Sequence, residues 1–199
     1  KILGIDVGFE KCAYALISVT HEHDDIAYQL LAVEAIDVSE VKKSKKLNNT
    51  DKCLIIVNEF EKRRALMTKA DEICVELQID HLNLKNSHSR ANGLMHDIQV
   101  ALMTLFHTFG YKANQVHLVK GHSKLALRVV ETTAVNPPRN MKYEQRKEFV
   151  RLAMKAFCDQ HKEFDTEGKL DAAFFKRKHN PTVFDQCDAM AHAISYYQR

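Results

Sequence analysis

The chain begins with two apolar runs that are separated by a very short link. Residues 1–9 and 11–19 are rich in apolar and β-branched side chains, with Gly8 at the turn between them, and residues 27–38 form a third such run. Two apolar runs joined so closely are typical of a β-hairpin. The sequence therefore predicts three successive strands at its start, and this limits the possible folds more than any other feature.

After these strands the pattern alternates between helical and strand-like segments. Apolar residues recur at steps of three and four in residues 87–109, which predicts a long helix that ends near Gly110. The other predicted helices cover residues 50–70, 143–158 and 184–198, with a short one near Leu125, and the other predicted strands cover residues 73–78 and 115–119. This order predicts an α/β fold, with a mixed five-stranded sheet and helices on both faces.

Apolar spacing also predicts which side of each helix is buried. In the 50–70 helix the residues expected on the buried side are Leu54, Val57, Phe60 and Leu66. In the 143–158 helix they are Phe149, Leu152, Ala156 and Phe157, which leaves Arg146, Arg151 and Lys155 at the surface. In the long helix the apolar residues that recur on one side are Leu94, Ile98, Ala101, Leu102, Leu105, Phe106 and Phe109.

Length and composition limit the class of protein. A chain of 199 residues with 45% hydrophobic content is expected to form one domain, residues 1–199, with a sizeable core. The sequence has no window of about 18 apolar residues, so an intracellular protein that does not cross a membrane is expected. The five cysteines include no CxxC pair, which argues against a disulfide framework or a zinc site and favours reduced thiols.

Four acids lie within the most apolar segments. Asp6 lies in the first predicted strand, Glu76 lies in the strand "ICVELQ", and Asp185 and Asp188 lie in the last helix, on one face because they are three residues apart. Burying an unpaired charge costs several kcal/mol, so the four acids are expected to converge only around a cation. Hard oxygen ligands suit Mg²⁺ or Mn²⁺. The acids therefore predict a divalent-metal site.

Each acid has a simpler interpretation when it is taken alone. An aspartate in a strand can cap a turn or pair with a lysine. Asp185 could be the N-terminal charge of the last helix, which the helix dipole favours by about 0.3–1 kcal/mol. The order of a strand Asp, a strand Glu and a helical D-x-x-D favours the shared site over these separate interpretations.

The motifs around these acids resemble those of a known family. The segments "GIDVG" at residues 4–8, "VELQ" at 75–78 and "DQCDAMAHA" at 185–193 are similar to motifs of the RuvC-like Holliday junction resolvases of the RNase H superfamily. The similarity is greatest to the branch found in poxviruses, other large DNA viruses and fungal mitochondria. It implies an RNase H-like fold and a metal-dependent, structure-selective endonuclease that resolves four-way DNA junctions by paired phosphodiester hydrolysis.

The resemblance also implies roles for individual residues. Asp6, Glu76, Asp185 and Asp188 would be the catalytic residues and would hold two Mg²⁺ or Mn²⁺ ions about 3.5–4 Å apart at the scissile phosphate. His192, one turn after Asp188, could approach these ions or the attacking water. Gln78, on the same strand as Glu76, could touch DNA or bond locally. Members of the family are typically homodimers that bind branched DNA.

Positive charge is concentrated in the second half of the chain. Residues 120–178 contain fourteen basic and eight acidic residues, which fits a polyanionic partner. Such charge is also typical of an ordinary solvated surface. If the chain binds DNA as the resemblance implies, Lys124 could contact DNA or take part in catalysis, and the phosphate contacts would be Lys42, Lys43, Lys45, Lys46, Lys124, Arg146, Arg151 and Lys155.

Other interpretations stay open. Other nucleases with this fold cut RNA–DNA hybrids or flaps, and a binding module could hold a junction without cutting it. The segment "GIDVG" also resembles the first phosphate motif of actin-like ATPases and sugar kinases, although the chain has six glycines and no second glycine-rich phosphate turn. The sequence does not distinguish a cytoplasmic viral factory from the nucleus or the mitochondrion.

Overall fold

The computed structural model describes residues 1–8, 10–22, 25–38, 47–77, 88–121, 128–130, 133–134, 141–171, 173–177 and 180–198. Its strands are β1 (Ile2–Asp6), β2 (Lys11–Glu22), β3 (Asp25–Asp37), β4 (Glu72–Leu77), β5 (Val116–Lys120), β6 (Arg128–Val130) and β7 (Thr133–Ala134). Its α-helices are α1 (Asn49–Lys62), α2 (Arg64–Met67), α3 (His88–Thr108), α4 (Tyr143–Gln160) and α5 (Pro181–Tyr197).

The main sheet is mixed and has the strand order β3-β2-β1-β4-β5. Strand β1 pairs antiparallel with β2 and parallel with β4, and β4 pairs parallel with β5. Every residue of β1 is buried, because the strand lies at the centre of the sheet. This position explains the continuous apolar run at the start of the chain. The predicted hairpin and five-stranded mixed sheet are confirmed.

Apolar cores lie on both faces of the sheet. One core joins the sheet to α4 and α5 and includes Met154 and Met190. The other joins it to α1 and α3 and includes Phe60 and Phe106. The prediction of helices on both faces is therefore confirmed. Among the described residues, no helix combines enough length with enough apolar character to cross a lipid bilayer.

Most elements lie within a few residues of their predicted positions, with three differences. The predicted 50–70 helix is interrupted at Arg63, which separates α1 from α2. The last helix begins earlier than predicted, because Asn180 accepts a hydrogen bond from the Thr182 amide and Pro181 occupies the first turn. The small β6–β7 sheet was not predicted. The predicted helix near Leu125 lies outside the described residues.

The predicted buried faces are correct for α3 and wrong in part for α1 and α4. Of the residues predicted on one side of the long helix, Leu94, Ile98, Leu102 and Phe106 are buried, whereas Ala101, Leu105 and Phe109 are partly buried. In α1, Leu54 is 54% exposed, and the buried residues are Ile55, Ile56 and Phe60. In α4, Leu152 is 51% exposed and Ala156 is exposed, whereas the buried residues are Lys147, Val150, Arg151, Ala153, Met154 and Phe157. The error in α4 arose because two of its buried residues carry positive charge.

Gly4 allows α5 to lie directly against β1. A Cβ atom at this position would overlap the carbonyl oxygen of Ala189 and would lie 2.9 Å from the backbone nitrogen of Ala193. Both atoms belong to the backbone of α5, so neither can move without shifting the helix. Gly4, the first residue of "GIDVG", therefore allows the last helix to approach the central strand this closely.

We expect Gly4→Ala to lower the free energy of unfolding by about 3 kcal/mol, because the added methyl group meets backbone atoms. Gly93→Ala is the matched control: nothing lies within 4 Å of a Cβ atom there, and alanine in a helix is favoured by about 0.5–1 kcal/mol. Urea unfolding followed by circular dichroism measures both. Equal stability of the two variants would contradict the close approach of α5 to β1.

Candidate active site

The parallel pairing of β1 and β4 brings two of the four acids together. Ile5 of β1 lies opposite Val75 of β4. The next residues, Asp6 and Glu76, therefore lie beside each other at the same edge of the sheet. Ile5 and Val75 belong to the core on the α1 and α3 side. Because successive side chains of a strand point to opposite faces, Asp6 and Glu76 face α5.

Helix α5 supplies the other two acids and a histidine. Asp185, Asp188 and His192 follow one another at steps of three and four residues, so they share one face of the helix. The side chains of Asp188 and His192 are fully buried, and that of Asp185 is 17% exposed. The close packing of α5 on β1 at Gly4 brings this face to the edge where Asp6 lies.

One half of the site is formed by Asp6, Glu76 and His192. Each residue offers one ligand atom, and the three atoms lie within 4.8 Å of one another. His192 Nε2 lies 4.0 Å from Asp6 Oδ1 and 3.9 Å from Glu76 Oε1. Two carboxylates and an imidazole are suitable ligands for a divalent ion such as Mn²⁺ or Mg²⁺, and small side-chain movements would bring them to one ion.

A glycine at the end of β5 leaves room for the Glu76 carboxylate. A Cβ atom on Gly121 would lie 2.5 Å from Glu76 Oε1. Val119, two residues earlier, lies opposite Glu76 in the parallel pairing of β4 with β5. The carboxylate therefore extends past the end of the neighbouring strand toward Asp6 and His192.

The other half of the site contains a lysine that was not among the predicted site residues. Lys147 Nζ donates hydrogen bonds to Asp185 Oδ1 at 3.0 Å and to Asp188 Oδ2 at 2.5 Å. The same atom lies 3.7 Å from Asp6 Oδ2. Lys147 comes from α4 and is buried. Three of the four acids therefore already contact a cation that belongs to the chain itself.

Burial and mutual repulsion govern the charges of this half. Burial raises the pKa of Asp185 to about 6, and the Asp6 charge adds to this effect, while Lys147 opposes it. Burial alone would lower the pKa of Lys147, but Asp6, Asp188 and Asp185 outweigh burial and raise that pKa above its usual value. Lys147 is therefore a permanent cation that is shared among three carboxylates.

The spacing of α4 contained a signal for Lys147. It lies three, four and seven residues before Val150, Arg151 and Met154, which are all buried. These steps place the four residues on one helix face. The positions of the apolar residues alone predicted a different buried face, because Arg151 was assigned to the surface and Lys147 was not considered.

The predicted phosphate contacts have different outcomes. Arg146 and Lys155 lie on the exposed side of α4, and Lys155 forms an ion pair with Asp159. The expectation that Arg151 lies at the surface is wrong. Arg151 is only 3% exposed, because its guanidinium donates to both carboxylate oxygens of Glu148 and to the Phe175 carbonyl. Lys42, Lys43, Lys45, Lys46, Lys124 and Gln78 lie outside the described residues.

Comparison with known proteins identifies the fold. No protein-family model and no curated protein matches the chain. RuvC from Thermus thermophilus is 15% identical with a TM-score of 0.58, and the match covers 98% of this chain and 92% of that chain. The yeast mitochondrial Holliday junction resolvase Ydc2 is 11% identical with a TM-score of 0.59, covering 98% and 78%. The fowlpox virus resolvase in complex with substrate Holliday junction DNA is 17% identical with a TM-score of 0.50, covering 99% and 96%.

The chain has an RNase H-like α/β fold. More particularly, the fold is that of the RuvC-type Holliday junction resolvases, and the match extends over nearly the whole chain. The resemblance that the motifs indicated is confirmed at the level of the fold. The four acids lie where β1, β4 and α5 of this fold meet.

Because Arg151 is buried, we expect Arg151→Ala to lower the free energy of unfolding by about 2–3 kcal/mol, through the loss of hydrogen bonds to Glu148 and Phe175. Lys155→Ala on the same helix is expected to change it by less than about 0.5 kcal/mol, since its ion pair is exposed. Urea unfolding of both variants tests this difference. A loss no larger in Arg151→Ala would contradict a structural role for Arg151.

Proposed function

We propose that the protein is a divalent-metal-dependent endonuclease that resolves four-way DNA junctions by paired phosphodiester hydrolysis. The observation that carries the proposal is the convergence of Asp6, Glu76, Asp185 and Asp188, from three distant segments, at one edge of a resolvase-type sheet. The Thermus thermophilus RuvC and the fowlpox virus resolvase, which share this fold, have both been solved with junction DNA.

The chemistry requires metal ions that the acids are suited to hold. Asp6 and Glu76, together with His192, would hold one Mg²⁺ or Mn²⁺ ion, and Asp6, Asp185 and Asp188 would hold a second. When bound, the two ions activate the attacking water and stabilise the leaving 3′-oxygen. Asp6 belongs to both halves, so it fixes their spacing. Because the site is largely buried, few water molecules other than the attacking one would reach the carboxylates.

The DNA is proposed to lie along the exposed side of α4. Arg146 is exposed near the start of this helix, and its guanidinium carbon lies 6.0 Å from the centre of the Tyr143 ring. Tyr143 is 60% exposed, and its ring centre lies 5.8 Å from Lys147 Nζ, so this surface adjoins the acids. Arg146, Lys155 and the lysines at 42, 43, 45, 46 and 124 are the proposed phosphate contacts, whose affinity would fall steeply with salt.

The central test is Asp6→Asn, which keeps the size of the side chain and removes its charge. We expect cleavage of a synthetic four-way junction in Mg²⁺ or Mn²⁺ to fall by more than about 100-fold, because even an indirect partner of a metal contributes about 10–100-fold. Junction binding in EDTA is expected to stay within about twofold. Asp71→Asn is the matched control, because Asp71 is exposed and contacts the amino group of Lys1 at the opposite end of β1 from Asp6, and it is expected to cleave normally.

The choice of substrate separates the proposal from its alternatives. Symmetric nicks confined to four-way junctions, in a panel with bubbles, flaps, RNA–DNA hybrid and plain duplex, would support junction resolution. Preference for the hybrid or the flap would indicate another RNase H-like nuclease. ATP binding without cleavage would indicate an actin-like or sugar-kinase-like protein. Full activity of Asp6→Asn would remove Asp6 from the mechanism.

Paired cleavage requires two active sites, so we propose that the protein acts as a homodimer. The proposed contact is the outer surface of α3, where Val100 is 47% exposed. An intracellular location, where the DNA substrate would be found, is part of the same proposal.

Sedimentation at micromolar concentration is expected to show a dimer. Val100→Glu is expected to weaken the dimer by at least about tenfold, since burying an unpaired carboxylate at the interface is unfavourable. The control is Leu152→Glu, a substitution of equal chemistry at a residue of α4 that is 51% exposed. A wild-type monomer would count against paired cleavage, and equal effects of both variants would place the contact elsewhere.

A further inference from the structure

The buried lysine is not accounted for by the two-metal chemistry. Lys147 Nζ contacts Asp185 and Asp188 at hydrogen-bond distance and lies within 3.7 Å of Asp6. These are the three acids that would surround the second ion. The ammonium group therefore lies among the carboxylates that would bind that ion. In the DNA-free protein, this position is taken by a cation of the chain itself.

The ammonium and a second divalent ion exclude each other. Metal–oxygen bonds to Mg²⁺ are about 2.0–2.1 Å, so an ion held by Asp185 and Asp188 would come close to a nitrogen that contacts the same oxygens. Two positive charges that close repel strongly in a site shielded from water. The half of the site formed by Asp6, Glu76 and His192 does not require the lysine to move, because its ligand atoms already lie within 4.8 Å of one another.

The surroundings of Lys147 show where the ammonium could go. Its side chain is 11% exposed, and Nζ lies 5.8 Å from the centre of the exposed Tyr143 ring. The exposed Arg146 adjoins the same ring. A DNA phosphate bound along this surface would offer the ammonium a new anionic partner, at a distance that the flexible side chain can span.

We propose that Lys147 holds the place of the second metal ion until DNA binds. This inference rests on the proposed metal-dependent nuclease function. The DNA-free protein binds one divalent ion strongly, at Asp6, Glu76 and His192, and Lys147 satisfies the remaining acids. Binding of a DNA phosphate draws Lys147 away, and the second ion then binds. The complete metal site is thereby assembled only on the substrate.

The test compares Lys147→Met, which keeps the length of the side chain and removes its charge, with the control Lys162→Met, which removes an exposed charge just after α4. Calorimetric titration with Mn²⁺, without DNA, is expected to give one strong site per chain in the wild type and in the control. Lys147→Met is expected to give two. In EDTA the melting temperature of Lys147→Met is expected to fall by about 5–10 °C and to recover on addition of Mn²⁺ more than in the control.

The wild type provides a second test that does not depend on a variant folding. Titration with Mn²⁺ in the presence of an uncleavable junction, corrected by a parallel titration of the junction without protein, is expected to raise the number of strong sites from one to two per chain. Two strong sites in the DNA-free wild type would overturn the inference, and so would a number that DNA leaves unchanged. If the wild type still cleaves junctions in that case, the proposed function stands. No Mn²⁺ binding and no cleavage by the wild type would overturn both.

Discussion

The interaction between the Lys147 ammonium and three carboxylates is the constraint on which this part of the structure depends. Asp6, Asp185 and Asp188 repel one another, and without a cation their approach would force α5 away from β1. The lysine is supplied by α4, so the charge interaction links α4, α5 and β1. This ionic contact therefore acts together with the close packing of α5 on Gly4, and it links α4 to both of these elements.

Arg151 extends this constraint by one turn of α4. It lies four residues after Lys147, on the same helix face, and binds Glu148 and the carbonyl of Phe175. Buried lysine and arginine are uncommon unless each is paired, and both are paired here. The face of α4 that packs against the rest of the protein is therefore partly cationic, with Val150, Ala153, Met154 and Phe157 as its apolar residues.

This arrangement explains how much of the molecule could be predicted from the sequence. The five strands of the main sheet and α3 were predictable, because their apolar residues follow the regular periods of a buried strand and an amphipathic helix. The acids could be grouped because Asp6 and Glu76 interrupt apolar strands and Asp185 and Asp188 share a helix face. The orientation of α4 was not predictable from apolar spacing, because Lys147 and Arg151 occupy its buried side while Leu152 is exposed. Their burial depends on partners distant in sequence.

In the function proposed above, stability and metal chemistry make opposite demands on the same three carboxylates. Folding without metal favours a cation that belongs to the chain itself. Lys147 provides one, because α4 packs beside the three carboxylates. Hydrolysis of a phosphodiester favours a divalent ion at that position, since a single ammonium charge activates neither water nor the leaving group to the same extent. Residues that stabilise a functional site in the absence of its ligands commonly oppose its function in this way. A lysine suits both demands in the proposed mechanism, because its long side chain has several rotatable bonds between the ammonium group and the backbone of α4.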